Sequence, residues 1–380
     1  MTTLITGADG YLGRRIATAL LGSDDLVLGV RAADNAELNR KRAALAHLSH
    51  LGHQVVPVDL RDDDPFAYVD PGRITRIVHA AALIRFDLER ADAEQVNVTG
   101  TARVREFAER CDRLDRLMFL STLYAAGRRR GDIRESRLGD VGFVNHYEWS
   151  KWAAEELLLD SDLPVTILRL PTVIAEDATG AIGQFNVFHH TLRLFHRGLL
   201  TLVPGDPATP LSLATAEFTA DAAVAMLAAN PGIYHACAGP VALGEVIETA
   251  FTVFEADPDF QRRMLPRPVS CDRAAFLDLA DAASRLRGGA LQPVLPSLLP
   301  FAEQLYLPKT FRADRLRAAW PGYREHDSLA VVAAAARALV VALADRRADS
   351  DAAVSRGASS ERAASGSQTA EKGRAHAAAR

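Results

Sequence analysis

Short apolar runs alternate with helical patterns along the first half of the chain. Each run is continuous and rich in β-branched residues, which indicates a strand buried on both faces, and apolar residues at helical spacing follow it. The five runs cover residues 2–6, Leu26–Arg31, Gln54–Val58, Ile74–Ala82 and Leu117–Thr122. Strands and helices in this alternation predict an α/β fold with a doubly wound parallel sheet and right-handed crossovers.

The second half of the chain is expected to be mostly helical. Helical patterns cover Thr215–Ala228, Leu243–Phe254 and Phe276–Leu286, whereas the Pro-rich stretch Gln292–Pro300 predicts a surface or pocket-rim loop. We expect the first of these helices to pack back on the sheet. The apolar run Leu329–Ala344 is too short to span a bilayer and predicts a packed helix, with a membrane-surface helix as the alternative.

The composition is that of a soluble globular protein. Of the 380 residues, 48% are hydrophobic and 24% are charged, and the formal net charge is -4. Because Lys and Arg are scattered along the chain, we expect no nucleic-acid partner. The N-terminus shows no secretory signal, and the three cysteines lack the spacing of a metal site or a disulfide framework. We therefore expect a cytoplasmic protein with reduced thiols and no integral membrane segment.

A glycine-rich turn joins the first strand to the first helix. Its glycines are spaced G-x-x-G-x-x-G, and a Cβ there would block left-handed backbone angles and the approach of a pyrophosphate to backbone N–H groups. The helix N-terminus adds partial positive charge. We therefore predict a dinucleotide site, with an ordinary Gly-rich turn as the alternative. The residues expected to contact the cofactor are Gly7, Asp9, Gly10, Tyr11, Leu12 and Gly13.

The ends of the second and third strands are expected to contact the adenosine half of the cofactor. In such folds an acidic residue accepts from the ribose 2′-OH of NAD, whereas cations suit the 2′-phosphate of NADP. Arg31 stands at this position and Arg42 follows in a basic segment, so the charge favours NADP, while Asp34 favours NAD. After the third strand, Asp59 and Leu60 either reach the adenine or, in the case of Asp59, cap a helix.

Candidate catalytic residues lie on the fifth strand and on the next helix. Tyr147 and Lys151 are four residues apart in a helical pattern, so they share one face. A nearby ammonium favours the phenolate, so we expect Lys151 to lower the pKa of Tyr147, and Thr122 can hold a carbonyl oxygen beside the phenol. A plain surface pair is the alternative, but the glycine turn, Thr122 and the order of these features favour catalysis.

In combination, these features resemble the extended short-chain dehydrogenase/reductase superfamily over about residues 1–240. The motifs are TGADGYLG (6–13), HAAA (79–82), Asn97, LSTLYAAG (120–127) and YEWSK (147–151). Finer features resemble the fatty acyl-CoA reductase and thioester reductase branch. They are VRA (30–32), HAAALIRFD (79–87), NVTGT (97–101) and LRLPTVI (168–174).

The resemblance implies a Rossmann-type domain that binds NADP(H) and reduces an acyl thioester to an aldehyde or alcohol. It implies that Tyr147 protonates the carbonyl oxygen, Thr122 orients it, Lys151 also bonds the nicotinamide ribose, and Asn97 positions Lys151 through a water. The acyl group would be a small molecule or be bound to a carrier, and a homodimer is a possible assembly. Further cofactor contacts are implied for Ala80, Ala81, Ala82, Pro171, Thr172 and Val173.

The same resemblance implies that the chain is divided into three parts. Residues 1–180, joined by 205–240, would form the NADP-binding domain, and residues 181–204 and 241–345 a smaller, mostly helical substrate lobe. Tyr306, Phe311 and Trp320 are candidates for the apolar wall of the acyl site, with core packing as the alternative that is favoured for any one of them. Residues 346–380 lack periodicity and are expected to be disordered.

Two groups of alternatives stay open. Sugar-nucleotide epimerisation or dehydration and hydroxysteroid-type dehydrogenation are other reactions of the superfamily, and a nucleotide-binding regulator without catalysis is a third function class. His189, His190 and His196 suggest a metal site, but no carboxylate or cysteine joins them at ligand spacing. We therefore expect these histidines to pack in the protein and expect no metal.

Overall fold

A computed structural model describes residues 1–48, 53–285 and 295–344. Its main feature is a seven-stranded sheet in the order β12-β7-β5-β4-β1-β2-β3, in which each neighbouring pair of strands is parallel. The strands are β1 Thr2–Thr6, β2 Asp25–Val30, β3 Gln54–Pro57, β4 Arg76–His79, β5 Arg116–Thr122, β6 Gly131–Ile133, β7 Val165–Leu170, β8 Thr172–Ala175, β9 Leu202–Pro204, β10 Pro210–Leu211, β11 Leu213–Thr215, β12 Gly232–His235, β13 Val241–Ala242, β14 Val269–Cys271 and β15 Lys309–Phe311.

Helices connect these strands and cover both faces of the sheet. They are α1 Tyr11–Ala19, α2 Asn35–Ala44, α3 Arg90–Ala93, α4 Gly100–Glu109, α5 His146–Leu159, α6 Val187–Arg197, α7 Ala216–Ala228, α8 Leu243–Glu255, α9 Pro258–Arg262, α10 Arg273–Arg285, α11 Leu295–Leu305, α12 Asp314–Ala319 and α13 over residues 328–344. A π-helical segment, Glu94–Thr99, joins α3 to α4, and 3₁₀ turns form at Ala46–Leu48, Pro71–Arg73 and Leu123–Ala126. The predicted doubly wound α/β fold is confirmed.

Alternate residues of each strand enter different cores, as expected for a sheet covered on both faces. In β1, Ile5 packs in a cluster with α1 and α7, whereas Leu4 packs in a second cluster with α4 and α5. The helix predicted over Thr215–Ala228 is α7, which packs against α1, and Thr215 caps it.

A third core cluster lies among the helices of the second half. Phe251, Phe254 and Phe260 form its aromatic centre, and apolar residues of α6, α11 and α13 pack around them. Helix α13 contributes Val332 and Leu339, which are almost fully buried. The run Leu329–Ala344 therefore forms the predicted packed helix.

One local prediction is wrong. The stretch Gln292–Pro300 was expected to form a loop, but its residues from 295 onward belong to α11, with Pro300 inside the helix. Burial of Leu298, Phe301 and Leu305 outweighs the hydrogen bond lost at Pro300. Residues 292–294 and the tail 346–380, predicted to be disordered, lie outside the described residues.

A buried ion pair joins α5 to β7 of the sheet. The Arg169 guanidinium of β7 donates to both carboxylate oxygens of Glu155, with Nε–O distances of 3.0 and 3.1 Å and an Nη2–O distance of 2.6 Å. The side chains are 0% and 1% exposed. Ser121 of β5 donates to the same carboxylate, and Arg169 Nη1 donates to the Ser136 carbonyl at 3.0 Å and lies 3.2 Å from His235 Nε2.

We predict that Glu155→Ala lowers the free energy of unfolding by about 3–5 kcal/mol, because it leaves the Arg169 charge buried without its partner. Urea unfolding measures the change. The matched control is Glu156→Ala on the same helix, which removes a partially exposed contact with Arg137 and should cost about 1 kcal/mol or less. Equal losses for the two variants would contradict the importance of the buried pair.

Candidate active site

The glycine-rich turn has the geometry that an anion site requires. Gly7 has φ +67°, and a Cβ there would lie 2.9 Å from the Ala81 Cα. A Cβ on Gly13 would lie 2.2 Å from the Gly7 carbonyl oxygen. Gly10 precedes α1 without a side-chain cap, and the first turn holds no acidic residue. The first turn of α1 therefore leaves the partial positive charge of the helix end available, and the Asp9 carboxylate just before it is paired with Lys41, which fits a dinucleotide pyrophosphate.

A cleft lies beside this turn. It has a volume of about 700 Å³ and is bounded by the start of α1, the segment after β8 and the start of α7. Gly10, Tyr11, Arg14, Glu176 and Asp221 contribute to its wall. The predicted contact residues Gly10 and Tyr11 thus face a space large enough for part of a dinucleotide.

The basic segment after β2 is tied to the glycine turn by a lysine. Lys41 Nζ lies 2.9 Å from an Asp9 carboxylate oxygen and donates to the Arg31 carbonyl at 2.5 Å. The Arg31 side chain is exposed. Asp34 caps α2 by accepting from the Glu37 N–H at 2.7 Å, so its carboxylate is committed to the helix. Sequence reasoning placed Lys41 in the basic segment but missed its contact with Asp9.

Two predicted cofactor contacts have other partners in this structure. Arg42 donates to the Val55 carbonyl at 3.2 Å. Asp59 accepts from the Arg61 N–H at 3.0 Å in a local turn, where no helix begins. Leu60 is 4% exposed and packs in the core on the α4 side of the sheet.

The ends of β5 and α5 bring the predicted catalytic hydroxyls together. Thr122 is the last residue of β5, and its side chain lies close enough to the Tyr147 phenol to act on that group's pKa. The Thr122 Oγ1 also accepts from the Tyr124 N–H at 3.2 Å. Tyr147 lies in the first turn of α5, whose N-cap Asn145 accepts from the Glu148 N–H at 2.9 Å. The strand end and the helix start therefore fix two hydroxyls side by side.

Lys151 lies one turn further along α5 and is buried. Its Nζ donates to the Leu120 carbonyl at 2.7 Å and lies 3.8 Å from the centre of the Phe119 ring. Burial lowers the pKa of Lys151 to about 7, and the Glu155 carboxylate acts in the opposite direction. The ammonium is therefore held against the end of β5 by a carbonyl and a ring face.

The expected lowering of the phenol pKa is not found. Burial raises the pKa of Tyr147, and the nearby Thr122 side chain opposes the rise only in part. Because Lys151 bonds the Leu120 carbonyl, it does not act on the phenol in the way the spacing predicted. The Tyr147 phenol is consequently neutral at neutral pH and available as a hydrogen-bond donor.

Asn97 lies in the π-helical segment and is fully engaged by protein groups. Its Oδ1 accepts from the Leu83 N–H at 2.8 Å, and its Nδ2 donates to the Leu83 carbonyl and to Ser150 Oγ, both at 2.9 Å. Ser150 directly precedes Lys151. Asn97 thus ties the segment after β4 to α5, while its action through a water stays a prediction.

The segments after β4 and β7 lie close to the glycine turn and to Thr122. The Ala81 N–H donates to Thr6 Oγ1 at 3.3 Å, and Ala81 packs over Gly7. Ala80 and Ala82 are its neighbours in the chain. Pro171 follows β7, and Thr172 and Val173 begin β8. The Thr172 Oγ1 lies 3.1 Å from the Tyr124 hydroxyl.

Sequence reasoning missed a second polar group beside Tyr147. Glu148 is buried and accepts from the Val144 N–H at 3.0 Å and from Gln304 Nε2 at 2.7 Å. Burial raises the pKa of Glu148 to about 7. Gln304 in turn contacts Lys309. No local signal marks these residues, because α11 and β15 lie far from α5 in the sequence.

Of the three candidate aromatic wall residues, Phe311 alone lines a cavity that contains Tyr124 and Thr172. Tyr306 donates to the Cys271 carbonyl at 3.1 Å, and the Trp320 ring lies 5.5 Å from that of Phe218.

The histidines of α6 make contacts within the protein. His189 Nε2 lies 2.9 Å from the Ile174 carbonyl oxygen, and His196 packs against Phe254 and Phe260. The described parts of the chain hold no group of three or more His, Cys, Asp or Glu side chains arranged for a metal ion. No helix within residues 1–48, 53–285 and 295–344 has the length and apolar character needed to cross a membrane.

Comparison with known proteins shows what this chain is similar to. The model of the NAD-binding family described as "Male sterility protein" matches residues 69–223. The carboxylic acid reductase of Segniliparus rugosus is 32% identical over 230 residues, which are 51% of this chain and 19% of that protein. Probable fatty acyl-CoA reductase 4 of Arabidopsis thaliana is 24% identical over 357 residues, with 69% of this chain and 72% of that protein covered.

The fold also matches a solved structure. The terminal R domain from the myxalamid PKS-NRPS biosynthetic pathway superposes with a TM-score of 0.70 at 22% identity, covering 89% of this chain and 90% of that chain. The predicted resemblance is confirmed, and the family match supports a nicotinamide cofactor. The matched region spans 19% of the Segniliparus reductase, so the activity of that longer protein does not transfer by itself.

We predict that Lys151→Met stabilises the protein at about pH 6 more than at about pH 10. The folded pKa of about 7 lies below the usual 10.5, so the unfolded chain binds the proton more tightly between these values. The free-energy cost of burying the charged Lys151 is therefore largest below about pH 7, and it disappears as the pH rises towards about 10.5. Thermal unfolding without cofactor measures it, with Lys41→Met as the partially exposed control. A gain independent of pH would contradict the lowered pKa.

Proposed function

We propose that this chain, which resembles the fatty acyl-CoA reductase and thioester reductase branch of the extended short-chain dehydrogenase/reductase superfamily, reduces an acyl thioester with NADPH. The observation that carries this proposal is the buried pair of hydroxyls, Thr122 at the end of β5 and Tyr147 at the start of α5. Hydride addition and protonation give a hemithioacetal, whose C–S bond then breaks to release the aldehyde and a thiol, and a second NADPH would reduce the aldehyde to the alcohol.

In the proposed reaction, each residue of the site has a different role in carbonyl reduction. A bound reduced nicotinamide supplies the hydride that the carbonyl carbon accepts. Tyr147, kept neutral by its raised pKa, donates its phenol proton to the carbonyl oxygen as negative charge develops there. Thr122 fixes the phenol and contacts the same oxygen. Lys151, held by the Leu120 carbonyl, would bond the nicotinamide ribose of a bound cofactor.

The cofactor contacts follow from the same geometry. Uncapped N–H groups at the start of α1 would hold the pyrophosphate, and Ala81, which packs against Gly7, and Thr172 would contact the nicotinamide half. Two features support NADP over NAD: the Arg31 side chain is exposed at the end of β2, and Asp34 is committed to its helix cap. A free carboxylate would favour the ribose 2′-OH, whereas an exposed guanidinium favours a 2′-phosphate.

The acyl group is proposed to enter from the helical half of the chain. Residues 181–204 and 241–345 form the substrate lobe, and the acyl group is carried by coenzyme A or by a carrier protein. This part of the proposal draws on the names of the relatives, which include a carboxylic acid reductase and a fatty acyl-CoA reductase.

We predict that Tyr147→Phe lowers kcat by at least about a hundredfold while the affinity for NADPH stays nearly unchanged, because the variant loses only the proton donor. NADPH absorbance with a panel of acyl-CoA thioesters measures turnover, and Tyr68→Phe, at a 71% exposed site, is the control. Wild-type turnover in the Tyr147 variant would remove the phenol from the mechanism. A wild type that converts a sugar nucleotide without net NADPH consumption would instead indicate an epimerase.

We predict that Arg31→Ala raises the KM for NADPH by about tenfold or more and leaves the KM for NADH nearly unchanged, because the lost guanidinium contacts only the 2′-phosphate. Steady-state kinetics with both cofactors measure the two values. Arg113→Ala is the control, since Arg113 is exposed and precedes β5, at the amino-terminal edge of the sheet. An equal change for both cofactors would contradict the assignment of Arg31.

A further inference from the structure

A small cavity lies beyond Tyr124 and Thr172, on the side of the substrate lobe. Its volume is about 60 Å³, and most of its wall is apolar. The wall includes Leu123, Phe188, Leu213, Phe301, Leu305 and Phe311. Two side chains that are long and polar, Gln304 and Lys309, reach this wall as well. A cation at the end of an apolar cavity is unusual, because burial of an ammonium is costly.

Lys309 is buried, and the Glu148 carboxylate acts on its ammonium only at longer range, with Gln304 between them. The residue is 7% exposed, and its Nζ donates to Gln304 Oε1 at 2.5 Å and to the Leu307 carbonyl at 3.4 Å. No ion pair within 4.0 Å in the described ranges includes Lys309. An ammonium has three N–H donors, so two partners leave one donor for another acceptor.

The position of Lys309 is fixed from the catalytic helix. Gln304 accepts from Lys309 with Oε1 and donates with Nε2 to the Glu148 carboxylate at 2.7 Å. Glu148 directly follows Tyr147 in α5. β15, which begins with Lys309, pairs in parallel with β6. The ammonium is thus connected to the helix that carries the phenol through two hydrogen bonds.

The energetics do not favour a purely structural role for this lysine. A methionine of similar length would pack against the apolar wall without the cost of a buried charge. Burial lowers the pKa of Lys309 to about 8, because the interior disfavours the charged form of the ammonium. An occupant that presents an oxygen to the ammonium would offset it.

We propose that Lys309, held by Gln304, is a specificity-determining residue that binds a carbonyl or carboxylate oxygen on the acyl chain of the substrate. The inference rests on the proposed thioester reduction. The cavity has room for about two water molecules, so its occupant is a single functional group of that size rather than a long alkyl tail. The substrate class is therefore an acyl thioester with a second oxygen acceptor, not a plain alkanoyl thioester.

The test compares matched coenzyme A thioesters of equal chain length that end in a methyl, an amide or a carboxylate group, over a short series of lengths. The wild type should prefer an amide-ended or carboxylate-ended chain by at least about tenfold in kcat/KM. Lys309→Met should lose this preference by losing turnover of the amide-ended and carboxylate-ended chains, with the methyl-ended chain as the internal reference. Lys309→Arg, which keeps the cation, should retain the preference.

Non-reducible thioether analogues of the same chains give a binding readout that does not depend on turnover. Calorimetry should show about tenfold tighter binding of the acceptor-bearing analogue to the wild type and equal binding of both analogues to Lys309→Met. Equal binding to the wild type would overturn the role of Lys309. Preferential binding without reduction of any thioester would support Lys309 and contradict the proposed reaction, so the two failures are distinguishable.

Discussion

The geometry of the site depends on the buried ion pair between Glu155 and Arg169. Both side chains are enclosed between α5 and the sheet, and the guanidinium has donors directed at each carboxylate oxygen. Because an unpaired charge in this interior would be costly, α5 has one favourable position along its axis. Ser121, which donates to the same carboxylate, adjoins Thr122 in β5. A single charged group therefore aligns the strand that carries the threonine with the helix that carries the phenol.

Burial then determines the chemistry that these residues can perform. It raises the pKa of Tyr147 and lowers that of Lys151, so the phenol keeps its proton while the ammonium gives its proton up more readily than an exposed lysine. A neutral phenol is the form that a carbonyl reduction needs, since the oxygen gains negative charge as the hydride arrives. The same enclosed environment strengthens each hydrogen bond to that oxygen.

The parts of this account that the sequence could predict are those with local signals. Continuous apolar runs predicted the strands, and the spacing of Gly7 and Gly13 predicted a turn in which a Cβ has no room. The four-residue spacing of Tyr147 and Lys151 placed both on α5, and counting along β5 placed Thr122 at the strand end.

The remaining features depend on tertiary packing. The pKa of Tyr147 could not be foreseen, because it follows from burial and from where Lys151 Nζ finds its acceptor, the Leu120 carbonyl. Gln304 and Lys309 reach the site from a segment whose Pro-rich start suggested a loop, yet α11 forms because its apolar face packs in the third core cluster. These contacts join residues that are distant in the sequence, so local sequence patterns do not predict them.

The most direct test of the central claim follows the hydride itself. NADPH that carries deuterium at both positions of C4 is incubated with the protein and an acyl thioester, and the products are examined by mass spectrometry. The account predicts one deuterium on the former carbonyl carbon of the aldehyde, together with free thiol and oxidised cofactor. An unlabelled product, or deuterium that stays entirely in the cofactor while substrate is converted, would contradict it.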